Sequence, residues 1–180
     1  MSDTTTIPKP LERKHPYPLI DTDPTAGRVL AYMRPSDYAQ WAGYTAGTPA
    51  LLYAWEKIDR TGGRMRPYMY TGAVLGCVAG FFVAYSRSTK RFWGWTENER
   101  EVKRDYEELS ERARQGLPLW GESSQPEWVQ AVAHRNSQYS ALNLALFPML
   151  NLVNHPYHGK DPKSYGTAEI DASTGDKKAE

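Results

Sequence analysis

The sequence contains a single cysteine, almost no net charge and none of the common catalytic motifs. Cys77 alone excludes an intramolecular disulfide, a C-x-x-C redox pair and a cysteine-ligated iron–sulfur cluster. The formal charge of +1 gives no reason to expect nucleic acid as a partner. G-x-S-x-G, G-x-G-x-x-G and the P-loop lysine are missing, so the chain has no recognised nucleophile elbow or nucleotide-binding loop.

The histidines are the remaining candidates for chemistry. His155 and His158 stand three residues apart near Asp161, a spacing that could serve zinc binding or acid–base work. Pro156 breaks helical spacing between them, and no cysteine or second carboxylate pair stands nearby. We therefore interpret them as surface or hydrogen-bonding histidines and predict no catalytic residue, no metal and no cofactor.

Two uncharged apolar stretches dominate the first half of the chain. The clearer one runs from Pro67 to Ser86, and its roughly 20 residues match a hydrocarbon core about 30 Å thick. The other, from Tyr38 to Trp55, is weaker and contains Pro49, which lipid-embedded helices tolerate. The charged segment 56–66 separates them. The pattern predicts a two-helix transmembrane hairpin, with helices at about 37–56 and 67–86, and the alternative is a pair of buried core helices.

Small residues recur every four positions in both stretches. Close backbone approach drives helix association in lipid, and small residues four apart permit it. The predicted helix-packing residues are the glycines of these repeats: Gly43, Gly47, Gly72, Gly76 and Gly80.

The flanks divide the chain into further regions. Residues 1–34 hold five prolines among mixed charges, which predicts an extended N-terminal arm, and 35–86 form the hairpin. We assign 87–165 to surface or interfacial helices and a C-terminal arm, and 166–180 to a disordered tail. The predicted fold class is thus an all-α membrane protein with a hairpin, an extended arm and C-terminal amphipathic helices.

Basic residues follow the second apolar stretch and precede an amphipathic helix. Arg87, Lys90 and Arg91 suit anionic phospholipid headgroups such as cardiolipin. The spacing Thr96-x-x-Glu99 predicts a capping box for a helix from 97 to 115, stopped by Gly116. Its apolar stripe comprises Val102, Tyr106, Leu109 and Ala113, and we expect it to dock on a neighbouring protein.

A second helix and an apolar run follow. Ser124-x-x-Glu127 with Pro126 predicts a helix start. The run 141–153 is short for a membrane span, so an interfacial or partner-buried segment is the expectation.

Three motifs resemble a known family when they are taken in order. They are Tyr17-Pro-Leu-Ile-Asp-x-Asp-Pro24, Arg34-Pro-Ser-Asp-Tyr38 and Asn154-His-Pro-Tyr-His-Gly-x-Asp-Pro162. Together they resemble the roughly 21 kDa accessory subunit of fungal mitochondrial respiratory complex I (NADH:ubiquinone oxidoreductase). The resemblance implies a non-catalytic subunit in the membrane arm and the mitochondrial inner membrane, with other complex I subunits as partners. It offers no catalytic residue or cofactor site to carry over.

Two other classes stay open on the sequence alone. One is a free-standing inner-membrane assembly factor or translocase-type hairpin protein, and the other is a small metal-dependent membrane enzyme that uses His155 and His158. Orientation is nearly balanced, because basic residues flank both the outer ends of the hairpin and its loop. We expect both termini in the matrix.

Overall fold

The structure, a computed structural model, describes residues 15–60, 62–142, 149–158 and 162–165. Its described secondary structure is entirely helical, as predicted. The helices are α1 (Ala26–Ala31), α2 (Pro35–Ile58), α3 (Met65–Phe92), α4 (Glu99–Arg114) and α5 (Glu127–Ser137), with 3-10 turns at Ser140–Leu142 and Pro162–Tyr165. The predicted tail, 166–180, and positions 143–148 of the apolar run lie outside the described residues.

Helix α2 begins with proline at its first position, where the missing amide hydrogen costs nothing. Asp37, in the first turn, accepts a hydrogen bond from the backbone N–H of Arg34 at 2.9 Å. The helix continues through Pro49 to Ile58. In the preceding turns the hydroxyls of Thr45 and Thr48 donate to the carbonyls four residues earlier, both at 2.9 Å.

Helix α3 is longer than predicted. The sequence indicated an end near 86, where charged residues begin, but the helix runs to Phe92. One face of its last two turns is buried in the rest of the protein, and Gly94, at φ 67°, follows its end. The charged residues after 86 did not mark the end of the helix, because carboxylates from other segments neutralise the charge of Arg91.

Helices α2 and α3 pack against each other as a hairpin. A Cβ added at Gly72, Gly76 or Gly80 would collide with α2, at Leu52, at Thr48 or at Tyr44 respectively. These three glycines therefore bring the two backbones together.

The glycines of α2 do not take part in this contact. A Cβ at Gly43 or Gly47 would meet nothing within 4 Å. The small-residue pattern was expected to join the two helices from both sides, whereas in the structure the glycine face of α3 packs against larger side chains of α2. Periodicity alone could not tell which side of α2 faces α3.

Outside this contact the hairpin is covered with exposed apolar side chains. They include Leu51, Tyr53, Trp55 and Ile58 on α2, and Tyr68, Tyr70, Val74, Leu75 and Val78 on α3. Among the described helices, α3 is the one that is long and apolar enough to cross a membrane. Only 28% of its most apolar 18-residue stretch is buried. The core helix of a soluble protein would be mostly covered. Helix α2 is long enough to cross a membrane, but its most apolar stretch is less apolar than that of α3, so the predicted second crossing is not confirmed.

The remaining segments fold into a head at the open end of the hairpin. We use "head" for the described residues 15–37 and 84–165. Its core joins the end of α3 to α1, to residues 139 and 149 and to the N-terminal arm, through Ile20, Val29, Tyr32, Ala84, Tyr85, Phe92, Trp93, Tyr139 and Met149. The arm bonds to the end of α3, since Ile20 N–H donates to the Phe92 carbonyl at 2.9 Å. The described part of the arm, 15–34, is therefore part of a packed core.

Helix α4 begins later than predicted. Its N-cap is Asn98, and the predicted capping box at Thr96 is wrong. The Asn98 amide instead donates to the carbonyls of Pro18 and Arg91, both at 2.7 Å, which fastens the arm and α3 to α4. The helix ends before Gly116, which takes a φ of 67° as the predicted stop requires.

Helix α4 docks on its own chain. Leu109 and Ala113 of the predicted stripe are buried, but Tyr106 is exposed. The other buried positions of α4 are polar: Glu101, Asp105 and Ser110. The expectation that this stripe awaits a neighbouring protein is therefore wrong for Leu109 and Ala113. Helix α5 begins at Glu127 with Pro126 as its N-cap, two residues after the start that an N-cap at Ser124 would give. The helix itself was predicted, but the capping box at Ser124 is wrong.

Candidate functional site

Two motifs that lie far apart in the sequence meet in the head. Asp21 and Asp23 come from the arm, and His155 and His158 come from the C-terminal segment. All four side chains are buried, and His134 of α5 joins them. The backbone supports this meeting, because Thr22 N–H donates to the His158 carbonyl at 3.3 Å.

Asp23 is the centre of this group. Its Oδ2 lies 2.5 Å from His155 Nε2 and 2.6 Å from the donating hydroxyl of Ser137, while its Oδ1 accepts from the Asn151 amide at 3.0 Å. Burial by itself raises the pKa of Asp23, but the His134 and His155 imidazoles outweigh it and the pKa is lowered. Asp23 is thus an ionised, hydrogen-bonded carboxylate that joins three segments.

Asp23, His134 and His155 also have the composition of a metal site, and their ligand atoms lie within 4.8 Å of one another. The hydrogen bonds favour another role. Tyr157 N–H donates to His155 Nδ1 at 3.2 Å, so in the neutral ring Nε2 carries the proton and donates to Asp23. A metal ligand needs that nitrogen unprotonated. The donor set therefore fits a hydrogen-bonded cluster better than a metal centre.

Asp21 forms a second cluster beside the first. Its Oδ2 lies 2.9 Å from His158 Nδ1 and accepts from Arg28 at 3.2 Å. Arg28 also pairs with Asp105 of α4, and the Tyr165 hydroxyl donates to Asp105 at 2.7 Å. Burial lowers the pKa of Arg28, but Asp21 and Asp105 raise it more, so the guanidinium stays charged. The cluster ties α1 and α4 to the arm.

A third cluster closes the base of the hairpin. Asp37 of α2 is fully buried and pairs with Arg91 of α3. Arg91 also approaches Glu101 of α4 at 3.6 Å, and Arg34 donates to the same carboxylate at 2.7 Å. This cluster joins the hairpin to the head by paired charges.

The predicted headgroup residues have different surroundings. Arg91 is 5% exposed and committed to Asp37 and Glu101, so it does not face lipid. Arg87 is exposed, donates to the Gln40 side chain at 2.6 Å and lies 3.9 Å from Asp37. Lys90 is partly buried. The three do not form one surface.

The histidines and carboxylates were only partly foreseen. His155 and His158 are hydrogen-bonded, as one of the two interpretations had it, and they are not on the surface. The roles of Asp21, Asp23 and Asp105 were missed. A usable signal exists for the first two, since Asp21 and Asp23 stand between Ile20 and Pro24 in a segment with little other charge. No local signal marks Asp105 within the highly charged α4.

We expect the stability of the head to depend on Asp23 at acid pH. Because the folded-state pKa lies below the ordinary 3.8, the ionised form stabilises the fold above that value, and the contribution is lost as pH falls through the folded-state pKa. Urea unfolding of the full chain in detergent at several pH values should show wild type losing stability below about pH 4. Asp23→Asn should be less stable at pH 7 and lose less on acidification. Equal acid sensitivity in both proteins would contradict the role of Asp23.

The chain matches proteins of one family over most of its length. A family model described as the NADH-ubiquinone oxidoreductase complex I, 21 kDa subunit matches residues 14–97. A second, described as the C-terminal of NADH-ubiquinone oxidoreductase 21 kDa subunit, matches residues 101–177. The chain is also 43% identical over 167 residues to the NADH-ubiquinone oxidoreductase 20.9 kDa subunit of Neurospora crassa, which covers 91% of this chain and 87% of that protein.

Proposed function

Because the chain belongs to the family of the 21 kDa subunit of NADH-ubiquinone oxidoreductase complex I, we propose that it is a non-catalytic accessory subunit of that complex. Its role is to support assembly or stability of the membrane arm while the complex transfers electrons from NADH to ubiquinone and pumps protons. The match to the Neurospora crassa subunit over nearly the whole chain carries this proposal.

The chemistry of the buried clusters supports a structural role. Asp21, Asp23 and Asp37 all bond to side chains of other segments, and each bond joins parts of the chain that are distant in sequence. Such groups specify how the arm, the hairpin and the helices fit together. They hold a shape that other subunits can bind.

We further propose that both α2 and α3 lie in the mitochondrial inner membrane. The part of α3 outside the head, 65–83, is about 28 Å long at 1.5 Å per residue, close to the thickness of a hydrocarbon core. Helix α2 packs along it from Trp41 to Leu52, so a bilayer that surrounds the exposed face of α3 also reaches α2. The exposed apolar side chains of both helices support this arrangement.

In the proposed arrangement the outer ends of the antiparallel hairpin, Pro35 and Phe92, lie on one side of the membrane, and we assign both termini to that side as well. We propose that this side is the matrix, because five basic residues flank the outer ends of the hairpin and four lie in or beside its loop. The variant Cys77→Ser/Gly63→Cys should then react with a membrane-impermeant maleimide in intact mitoplasts. Labelling only after the inner membrane is opened would reverse the orientation.

Native gels of gently solubilised mitochondria test the proposed function. We expect the chain to migrate with the large NADH-oxidising band, and deletion of the chain to reduce the amount of that assembled band severalfold. Flavin and iron–sulfur signals per remaining complex should be unchanged, because a non-catalytic accessory subunit holds none of these groups. Migration of the chain apart from the band would favour a free-standing assembly factor.

A further inference from the structure

We propose that the tip of the hairpin, at the end opposite the head, binds anionic phospholipid headgroups. "Tip" denotes the described residues of 56–66. This inference rests on the proposed membrane hairpin and goes beyond it, because it names the ligand and the surface that holds it. The sequence alone indicated a lipid site at the opposite end of the hairpin, at Arg87, Lys90 and Arg91. The inference moves that site to the tip.

The tip presents unpaired positive charge. It carries Lys57, Arg60, Arg64 and Arg66 against two acidic residues, and all four basic side chains are exposed. Within the described part of the chain, no ion pair or hydrogen bond holds the guanidinium groups of the three arginines. Lys57 lies 5.2 Å from the ring centroid of Tyr53, which leaves its ammonium at the surface. These groups are available to phosphate oxygens.

The base of the hairpin differs in this respect. Arg28, Arg34 and Arg91 are each committed to two carboxylates of the chain itself, and Arg87 to Gln40 and Asp37. A lipid phosphate would have to compete with these internal partners. The two ends of the hairpin have similar numbers of basic residues in the sequence. In the folded chain most of those at the base are paired with carboxylates, so the unpaired positive charge lies chiefly at the tip.

Aromatic side chains mark the depth at which the tip would lie. Tyr53 and Trp55 on α2 and Tyr68 and Tyr70 on α3 flank it, and all four are exposed. Tyrosine and tryptophan concentrate at the level of lipid headgroups, because one end of each ring system is apolar and the other polar. Arginines one or two turns beyond this belt would therefore lie among the phosphates, within reach of anionic lipid.

Native mass spectrometry of the full chain in detergent tests the inference, with cardiolipin and phosphatidylcholine added at equal concentration. We expect wild type to retain cardiolipin in preference to phosphatidylcholine. In the variant R60Q/R64Q/R66Q the ratio of bound cardiolipin to bound phosphatidylcholine should fall at least tenfold. Each arginine near an anionic surface contributes about 1 kcal/mol, which is roughly fivefold in affinity. Retention of the full preference by this variant would overturn the inference.

Two further variants separate the tip from the rest of the chain. R87Q/K90Q removes charge at the base, and R100Q/K103Q/R135Q removes three exposed charges from the head. Both should keep the preference within about twofold of wild type. Loss of the preference in R87Q/K90Q but not in the tip variant would return the lipid site to the base. Equal losses in the tip and head variants would reduce the effect to net charge and overturn the inference.

The premise and the inference fail in different ways. If the hairpin does not span the membrane, Cys77→Ser/Gly63→Cys will be labelled from the same side as Cys77→Ser/Gln125→Cys, whose new thiol lies at an exposed position of the head. If it does span, labelling will come from opposite sides whatever the lipid experiment gives. Migration with the NADH-oxidising band tests the proposed function independently of both.

Discussion

Gly76→Leu should unfold the hairpin more readily than any substitution of similar size elsewhere on α2 or α3. A Cβ at this position would already meet the Tyr44 carbonyl oxygen and the Thr48 side chain, so a leucine forces the two backbones apart. Overpacking of this kind lowers the free energy of unfolding by about 1–3 kcal/mol. We expect a value at the upper end of this range, because the obstacle includes a backbone carbonyl, which cannot move aside as a side chain can. Gly80→Leu, opposite Trp41 and Tyr44, should act in the same direction.

The measurement is denaturant unfolding of the full chain in micelles, followed by recovery of the variant with the NADH-oxidising band. Gly43→Leu is the matched control, because the same side chain is added to the same hairpin where nothing lies within 4 Å. Gly43→Leu should leave the full chain as stable as wild type. If Gly76→Leu and Gly43→Leu unfold alike, the glycine face of α3 is not the contact that holds the hairpin.

Asp37→Leu should detach the head from the hairpin. Asp37 is fully buried, and its removal leaves the guanidinium of Arg91 with Glu101 alone, 3.6 Å away. Breaking a buried ion pair costs about 3–5 kcal/mol, chiefly because the remaining charge is desolvated without its partner. We expect about 3 kcal/mol here, since Glu101 compensates part of the charge. Urea unfolding of the full chain in detergent gives this value.

A second substitution separates this cause from loss of packing. The double variant Asp37→Leu/Arg91→Met removes both charges, and it should recover more than half of the lost stability, because apolar side chains of similar volume often replace a buried pair at little cost. Glu111→Ala breaks an exposed ion pair with Arg114 at 3.5 Å and should change stability by no more than about 1 kcal/mol. A double variant as unstable as the single one would show that the buried charge is not the cause.

Local pattern was a good guide to the helices that carry the longest apolar runs. The predicted span of α3 differs from the observed one by two residues at the start and six at the end, and that of α2 by two at each end. The stop at Gly116 also came from a local signal, and the local signal at Ser124 placed the start of α5 within two residues of Glu127. These features depend on residues within one or two turns, so the sequence contains the required information.

The clusters of the head could not be predicted in the same way. Asp23 and His155 are separated by 132 positions, and Asp37 and Arg91 by 54. The local sequence around each of these residues does not identify its partner. Their burial is favourable only because a partner from another segment neutralises or hydrogen-bonds them, and that condition exists only in the folded chain.

By itself the sequence determined that this protein is helical, where its main helices lie, and the family to which its motifs pointed. The tertiary structure decided which side of α2 meets α3, that residues 15–34 of the arm and α4 belong to a packed head, and which of the described arginines have no ion pair. The physical reason is that helix formation follows short-range periodicity and backbone chemistry, whereas the choice of a packing face and the pairing of buried charges depend on groups that only folding brings together.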